Sequence, residues 1–493
     1  MSPSSFIATL RARPWLTAST ALLIGLLIAK YFFTLFLFDV PLGYDPGIYR
    51  YLIVKYAAAF PFSLPALRPW AQEYPYGLFL FTSVLVKAGI PVDWFLGWIW
   101  NAMTVILLCT LAWVTGKREG VRVGVLTLLM AFLSVAYFDG FASMYWKTFL
   151  ALFFLILVFH AFERSSPWMV PLGALTILCH NQTGLILALV FMLWWIVHLP
   201  SRWKDPQFRK LTIAFAAIAV LGLVWYAPIW FRAFWAPLKS VFLLRGAQAP
   251  GGEFADPVQY LMTEGILLAF GIAGWVMSVR REKGSVWQLA PLVCAVFVVG
   301  KLVFYRRFFL QLDFFLLPFA AMALHRAWND VSPRRVLAIS TRTLLVILIA
   351  VQAFVSIREA PLQAVRHSSF VDGSMLRTFA ALSDVIEPNA AIISLENQSG
   401  VWLLGMMPDH LIGAPGLFDY PGWSYPMWEK FLYGSHEDRL GLLAPLPRPL
   451  YFLTSDFFLR YYGSFADAFL KDPCFEQVQG TELLRVICPL PSR

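Results

Sequence analysis

The chain has 493 residues, of which 59% are hydrophobic and only 14% are charged, and its mean hydropathy is +0.66. A soluble domain carries about a quarter charged residues, so this composition excludes one and indicates a polytopic membrane protein. The formal net charge of +10 does not indicate nucleic-acid binding, because membrane proteins concentrate Lys and Arg in short cytoplasmic loops.

Apolar runs long enough to cross about 30 Å of hydrocarbon predict about eleven spans. They cover residues 15–38, 94–115, 120–137, 141–162, 168–180, 181–200, 211–235, 258–279, 286–305, 307–327 and 336–357. The first run follows Arg11 and Arg13 and is too long for a signal-peptide core. We therefore interpret it as a retained transmembrane helix with a cytoplasmic amino terminus. This topology puts four basic segments on the cytoplasmic side, as the positive-inside bias requires: 116–122, 201–210, 280–284 and 329–335.

The segments outside the spans divide into a first outer loop and a carboxyl-terminal domain. The loop, residues 39–93, opens with "GYDPGIYRY" and contains a short apolar helix at 76–90. From residue 358, runs at 390–395 and 449–455 predict strands, and 372–386 and 458–472 predict amphipathic helices. We therefore predict a mostly α-helical transmembrane module, 1–357, followed by an extracytoplasmic α/β domain, 358–493.

Cys474 and Cys488 bracket a predicted hairpin around Gly480. A disulfide between them is consistent with a non-cytoplasmic domain, and two free buried thiols are the alternative. The cysteine and histidine spacing contains no pattern typical of structural zinc.

Ionisable residues from separate predicted helices map to the outer leaflet, where such groups usually face a cavity. One outward-facing polar cleft would explain them together. The set is Asp45, Asp139, Lys147, His180, Glu264, Lys301, Arg306 and Arg307. Each also has a structural interpretation: Asp45 could start a turn before Pro46, His180 could satisfy the backbone between two short helices, and Arg306 and Arg307 could anchor headgroups.

The order of these segments resembles the GT-C type of membrane glycosyltransferase, which includes protein O-mannosyltransferases and aminoarabinose transferases. The resemblance covers nearly the whole chain in layout, and its most specific part is "GYDPGIYRY". It implies that Asp45 is catalytic, supported in the loop by Tyr44, Tyr49 and Arg50. Many members have paired acids in this loop, whereas Pro46 and Gly47 follow Asp45 here. The sequence therefore leaves open whether a divalent cation takes part, and no other cofactor is expected.

The resemblance further implies an inverting transfer of a sugar from a polyprenyl-phosphate carrier to an acceptor outside the cytoplasm. Asp139, His180 and Glu264 would be the second acidic or orienting residues. Arg306, Arg307, Lys147 and Lys301 would bind the donor phosphate. The expected partners are the lipid-linked donor, a glycan, lipid or protein acceptor and the bilayer, in a bacterial inner membrane. A multi-span transporter and a non-catalytic envelope assembly protein are the alternatives.

Overall fold

The computed structural model describes residues 13–72, 74–227, 235, 257–302, 304–329, 335–416, 419–463 and 466–488. The chain forms two compact units. The membrane unit comprises Met1–Leu37, Pro75–Leu78 and Gly97–His367, and the α/β unit comprises Phe38–Tyr74, Phe79–Leu96 and Ser368–Arg493. This division differs from the predicted boundary at residue 357, because the first outer loop groups with the carboxyl-terminal residues.

Helices dominate the membrane unit. In chain order, with the helices of the first outer loop included, they are α1 (Pro14–Phe32), α2 (Thr34–Leu37), α3 (Pro46–Ala59), α4 (Pro69–Gln72), α5 (Gly77–Lys87), α6 (Trp98–Glu119), α7 (Val121–Leu133), α8 (Ala136–Ala142), α9 (Trp146–Glu163), α10 (Met169–Cys179), α11 (Asn181–Arg202), α12 (Pro206–Tyr226), α13 (Pro257–Arg281), α14 (Val286–Val299), α15 (Phe308–Asn329) and α16 (Arg335–Arg366). Of these, α3, α4 and most of α5 belong to the α/β unit.

The structure confirms a polytopic, mostly α-helical membrane protein. Within the described residues, eight helices are long and apolar enough to cross a membrane, and the bent pair α7–α8 raises the number to nine. Each of the eleven predicted runs coincides with a helix, although α10 and α14 are shorter than a span. The end of the run predicted at 211–235 lies largely outside the described residues.

The third predicted span differs most from its prediction. The run 120–137 was expected to be one helix, but α7 ends at Leu133 and α8 starts at Ala136, with an angle of 60° between them. Neither Pro nor Gly occurs between residues 125 and 139, so no sequence breaker marks this bend.

Charged residues at one end of the membrane unit form an ion cluster. Arg118 contacts Glu119 and Glu163, each at 3.1 Å, and Arg281 contacts Glu119 at 3.0 Å. At the same end Gln207 donates to Ser165 at 2.6 Å. The ends of α6, α9 and α13 and the start of α12 are therefore on one side, as the predicted topology requires for 116–122, 201–210 and 280–284.

The α/β unit is built on a five-stranded mixed sheet. The strands are β1 (Ala391–Ser394), β2 (Leu411–Gly413), β3 (Leu450–Leu453), β4 (Phe475–Gln477) and β5 (Leu483–Val486), in the order β2-β1-β3-β5-β4. β1 pairs in parallel with β2 and β3, and the terminal strands pair antiparallel. β2 was not predicted, whereas the other four coincide with predicted strands.

Six further helices belong to the α/β unit. They are α17 (Gly373–Leu382), α18 (Asn397–Met406), α19 (Tyr425–Tyr433), α20 (His436–Leu443), α21 (Asp456–Tyr462) and α22 (Asp467–Leu470). Fully buried Ile393, Phe431, Phe452 and Phe469 form the centre of its core.

Two glycines allow α3 and α18 to pack backbone against backbone. A Cβ on Gly405 would lie 2.7 Å from the Gly47 carbonyl oxygen, and one on Gly47 would lie 2.9 Å from Trp402 Cα. No real Cβ tolerates such distances, so any other residue would separate the helices. Because Gly47 is two residues after Asp45, this contact ties the "GYDPG" segment to the carboxyl-terminal part of the unit.

Candidate functional site

Asp45 and its neighbours lie in the α/β unit. Asp45 precedes α3, with Pro46 at the first helical position, but its side chain makes no capping hydrogen bond to the first turn of α3. Helix capping, the commonest structural role for an Asp at this position, is therefore not what this carboxylate does.

The charges that act on Tyr44 indicate a second carboxylate in the neighbourhood of Asp45. Burial raises the pKa of the Tyr44 hydroxyl, and the negative charges of Asp45 and Glu396 raise it further. Glu396 is itself buried and accepts hydrogen bonds from the backbone N–H groups of Gln398 at 2.6 Å and Ser399 at 2.7 Å. The start of α18 thus supplies an acidic neighbour that the first loop, with Pro46 and Gly47, does not contain.

Tyr49 and Arg50 hold the first turns of α3 in place. Tyr49 is buried, with its ring 6.1 Å from that of Phe79. Arg50 contacts Asp93 at 2.8 Å and donates to the Gly405 carbonyl at 2.6 Å. Both side chains therefore hold the helix that follows Asp45, and their predicted role in supporting a catalytic Asp45 stays a prediction.

The other predicted catalytic and donor-binding residues lie in the membrane unit, where Lys147 and Arg307 form a cationic cluster beside His180. The positive charges of Lys147 and Arg307 both act on the ring of His180, and Thr148, next to Lys147, lies 3.4 Å from His180 Nε2. Like charges brought together at low dielectric repel, and an anion bound between them would relieve that repulsion.

His180 also has the structural role considered as its alternative. Its Nδ1 accepts a hydrogen bond from the Thr183 N–H at 3.3 Å and lies 2.9 Å from the Thr183 hydroxyl. The ring thereby caps α11 at the break that follows the short α10. Because Nδ1 makes the capping bond, the other ring nitrogen, Nε2, is the one that faces Thr148.

Arg306 and Arg307 occupy a 3₁₀ turn, Tyr305–Arg307, just before α15. The Arg307 guanidinium lies 5.1 Å from the ring centre of Phe304, and that of Arg306 lies 6.0 Å from the ring centre of Tyr305. Arg307 Nε is buried and has no hydrogen-bond partner among the residues that the structure describes. Since a buried donor without a partner is costly, this atom is a candidate ligand-binding group.

An apolar groove of about 480 Å³ runs along α13, α14 and α15 in the membrane unit. It reaches Lys301 and Tyr305 at one end, immediately before Arg306 and Arg307 in the chain. Its apolar lining includes Leu261, Leu268, Ile272, Ala295, Val299 and Leu316. Because Leu261 and Ile272 are exposed on α13, which is long and apolar enough to cross a membrane, we expect the groove to be accessible from lipid.

Asp139 lies on α8, beyond the bend, and is 7% exposed. Its Oδ1 is 3.0 Å from Nε2 of His367, and the Ser143 hydroxyl lies 3.5 Å from the same nitrogen. His367 directly follows α16, so the pair joins the end of that helix to α8.

Glu264 is fully buried in α13 and accepts hydrogen bonds from the backbone N–H groups of Val135 and Ala136. It therefore contacts the bend before α8, and its interactions are those of a structural cap. Its predicted role beside substrate stays a prediction.

Cys474 and Cys488, the predicted pair, form a disulfide with a Cα–Cα distance of 4.6 Å. Cys474 also belongs, with His436 and Asp472, to a group whose ligand atoms lie within 4.8 Å of one another. This group does not fit a metal well. The Cys474 sulfur is bonded to Cys488, and Asp472 already contacts His436 at 2.9 Å and Arg439 at 2.8 Å.

Solved structures match this arrangement along nearly its whole length. The aminoarabinose transferase ArnT from Cupriavidus metallidurans, bound to undecaprenyl phosphate, aligns with a TM-score of 0.57 at 12% identity over 97% of this chain and 99% of its own. The chain has a GT-C fold. The oligosaccharyltransferase of Archaeoglobus fulgidus aligns with a TM-score of 0.58 at 13% identity, over 94% of this chain and 73% of the archaeal one. Neither a family model nor a curated protein sequence matches the chain.

The sequence analysis missed three residues that the structure places beside predicted ones: Lys30, His367 and Glu396. Lys30 had a signal, since a charged residue inside an apolar run is costly unless paired. Glu396 also had one, as an acidic residue between a predicted strand and a following Asn, Gln and Ser, where a helix cap is typical. His367 had none, because its partner Asp139 is 228 residues away.

Proposed function

We propose that the protein transfers a sugar from a polyprenyl-phosphate carrier to an acceptor hydroxyl on the non-cytoplasmic side of the membrane. The observation that carries this proposal is the lipid-accessible groove that ends at Lys301 and Tyr305. An isoprenoid chain is apolar and enters from the bilayer, whereas its phosphate needs cations. The groove offers apolar walls and then a lysine, followed in the chain by two arginines.

The cationic cluster supports the same donor class. The phosphate leaves with the electron pair of the bond to the anomeric carbon, so negative charge accumulates on it in the transition state. Fixed Lys and Arg side chains stabilise such charge far better at low dielectric than in water. We assign this role to Arg306, Arg307, Lys147 and Lys301. The ArnT structure, which contains undecaprenyl phosphate, makes a carrier of this kind the natural one to test.

Asp45 is our candidate for the general base. Its carboxylate accepts the proton of the acceptor hydroxyl while the acceptor oxygen bonds to the anomeric carbon and the carbon–phosphate oxygen bond breaks. A single displacement of this kind inverts the anomeric centre. Asp139 and His180 would orient the sugar or the acceptor. The position of Asp45 in the "GYDPGIYRY" segment, which carries the resemblance, supports this assignment.

A divalent cation remains a candidate cofactor, since one structure of the archaeal oligosaccharyltransferase contains zinc. The donor set near Asp45 gives it limited support, because Glu396 already accepts two backbone hydrogen bonds. We therefore route no step through a metal.

The ion cluster at the end of α6, α9 and α13 supports the predicted orientation, with these ends and the amino terminus in the cytoplasm. Membrane-impermeant thiol labelling checks this. A cysteine introduced at the exposed Lys204 should be labelled only after the membrane is opened, and labelling of intact cells would reverse the topology.

The direct test is to incubate the purified protein in lipid with a panel of polyprenyl-phosphate sugars and to measure donor consumption. To examine the groove, Ala295→Trp should raise the KM for long-chain donors about tenfold, because the indole fills space that the chain would occupy. A donor with a short, water-soluble chain should be affected much less.

Ile213→Trp is the matched control, since Ile213 is 70% exposed on α12, outside the groove. This variant should leave both donors unaffected. No consumption of any donor by the wild-type protein would refute the proposed activity. An equal effect of Ala295→Trp on both donors would instead show that the groove does not bind the isoprenoid chain.

A further inference from the structure

A buried polar network surrounds the bend between α7 and α8 in the membrane unit. Lys30, on α1 and 8% exposed, donates to the carbonyl oxygens of Phe132 and Ser134, each at 2.7 Å, and lies 2.8 Å from the Ser356 hydroxyl. An ammonium group has three N–H donors, and here all three have an acceptor. Two of these acceptors are carbonyls that the end of α7 leaves without an intrahelical partner.

The N–H groups of the bend are satisfied from a different helix, since Glu264 of α13 accepts from Val135 and Ala136. A third carbonyl of the bend is satisfied from α16, where Gln352 donates to Leu133 at 3.3 Å. Buried backbone groups without a hydrogen-bond partner are costly in apolar surroundings. Polar side chains from distant parts of the chain thus make a bend possible where the local sequence has no breaker.

Ser134 connects this network to a second buried carboxylate. Its hydroxyl donates to Asp313 Oδ2 at 2.6 Å and accepts from the Tyr137 N–H at 2.9 Å. Asp313 and Ser134 are 2% and 0% exposed. The same serine therefore caps the first turn of α8 and joins it to α15.

We propose that Lys30 is a positioning residue for Asp139, which lies on α8 three residues after its start. By holding the carbonyls before α8, Lys30 fixes the direction of this seven-residue helix and so the place of the Asp139 carboxylate against His367. This inference rests on the proposed function, in which Asp139 orients a substrate. The inference predicts that Lys30 affects turnover, whereas a residue that only stabilises the fold would not.

Lys30→Met removes the donors and also leaves Asp313 without a cation, so stability and turnover should both fall. Lys30→Met/Asp313→Asn separates these effects, because it removes one of the two buried carboxylates whose charges act on Lys30, while Glu264, the other, keeps its backbone hydrogen bonds at the bend. We expect the double variant to regain most of the melting temperature, whereas kcat stays about a hundredfold low and the donor KM changes little. Ser134→Ala, which changes no charge, should give a smaller loss of kcat in a folded protein.

Asn101→Leu is the matched control. Asn101 is buried and donates to the Tyr31 carbonyl at 2.8 Å, one residue from Lys30, without contacting the bend. It should lower the melting temperature and leave kcat unchanged. In the Asp139→Asn background, Lys30→Met/Asp313→Asn should add little further loss, because the group that Lys30 positions is already changed.

Wild-type kcat in the stable double variant, or strictly additive losses with Asp139→Asn, would overturn the inference. Either result presupposes an active wild-type protein, and is therefore distinct from failure of the proposed activity, which the donor panel reveals directly.

Discussion

The two units use their charged residues in different ways. In the membrane unit the cationic cluster of Lys147 and Arg307 lies beside His180, and the buried Lys30 and Glu264 stabilise a helix bend. In the α/β unit the residues around Tyr44 are acidic, with Asp45 before α3 and Glu396 before α18.

In the function proposed above, this difference would correspond to two chemical tasks. A cationic region suits the binding and departure of a phosphate, and a carboxylate suits the removal of a proton. The membrane unit would then govern donor use, and the α/β unit would govern the attack by the acceptor. Two substitutions test this contrast and two more test what stabilises the α/β unit, in order of decreasing expected effect.

Asp45→Asn should reduce turnover about a thousandfold, in the range of general base catalysis, with the melting temperature unchanged. Donor consumption and thermal unfolding in the same preparation check this. Asp409→Asn, which removes an exposed ion pair with Lys55 in the same unit, is the control and should remain active. Full activity of Asp45→Asn would show that Asp45, the candidate in the α/β unit, is not the general base.

Arg307→Ala should weaken donor use, raising the donor KM about tenfold to a hundredfold, because a charge-assisted bond to phosphate is lost. The KM for the acceptor should change little. Arg326→Ala, in the last turn of α15, the helix that Arg307 precedes, serves as the control and should leave both constants unchanged. A larger effect on the acceptor than on the donor would contradict the division of tasks between the units.

Gly47→Ala tests whether the close contact of α3 with α18 stabilises the α/β unit. The added Cβ must push the helices apart, at a cost of about 1–3 kcal/mol in the free energy of unfolding. Gly441→Ala is the comparison, because a Cβ there meets nothing within 4 Å and alanine favours a helix. Equal melting temperatures for the two variants would show that the contact is dispensable.

The pH dependence of stability offers the smallest effect. Burial alone would raise the pKa of Asp472, but the Cys474 N–H, Arg439 and His436 together lower it. A carboxyl group whose folded-state pKa is depressed stabilises the fold above its unfolded value, about 3.9, and this contribution disappears as the pH falls through the folded-state pKa. The melting-temperature deficit of Asp472→Asn should therefore shrink from pH 7 to pH 3.

Asp467→Asn removes a carboxylate from an exposed pair with Lys471 in the same unit, and its smaller deficit should vary little over this range. If both deficits were independent of pH, the charge of Asp472 would not be what stabilises this region.

Much of the fold followed from the sequence, because lipid allows few choices. Apolar runs of sufficient length must be helical, so every predicted run overlaps a helix, and 120–137 is divided between two. Short continuous apolar runs at 390–395 and 449–455 likewise predicted β1 and β3, both buried along their whole length. The three residues of β2 were not predicted.

The candidate site was less accessible from sequence. Asp45, Arg307 and His180 could be identified from sequence as candidate site residues, because ionisable groups next to apolar spans usually face a cavity. The acidic neighbour of Asp45 could not, since Glu396 is 351 positions further along the chain and only the packing of Gly47 against α18 brings the two segments together.

The bend between α7 and α8 shows where local information ends. Hydrophobicity was enough to predict an apolar helix over 120–137, because it is a local property of the chain. That the helix bends by 60° after Leu133 and continues to Ala142 depends on contacts with other parts of the fold. The freed backbone groups there are satisfied by Lys30, Glu264 and Gln352, and such partners from distant segments meet them only after the chain has folded.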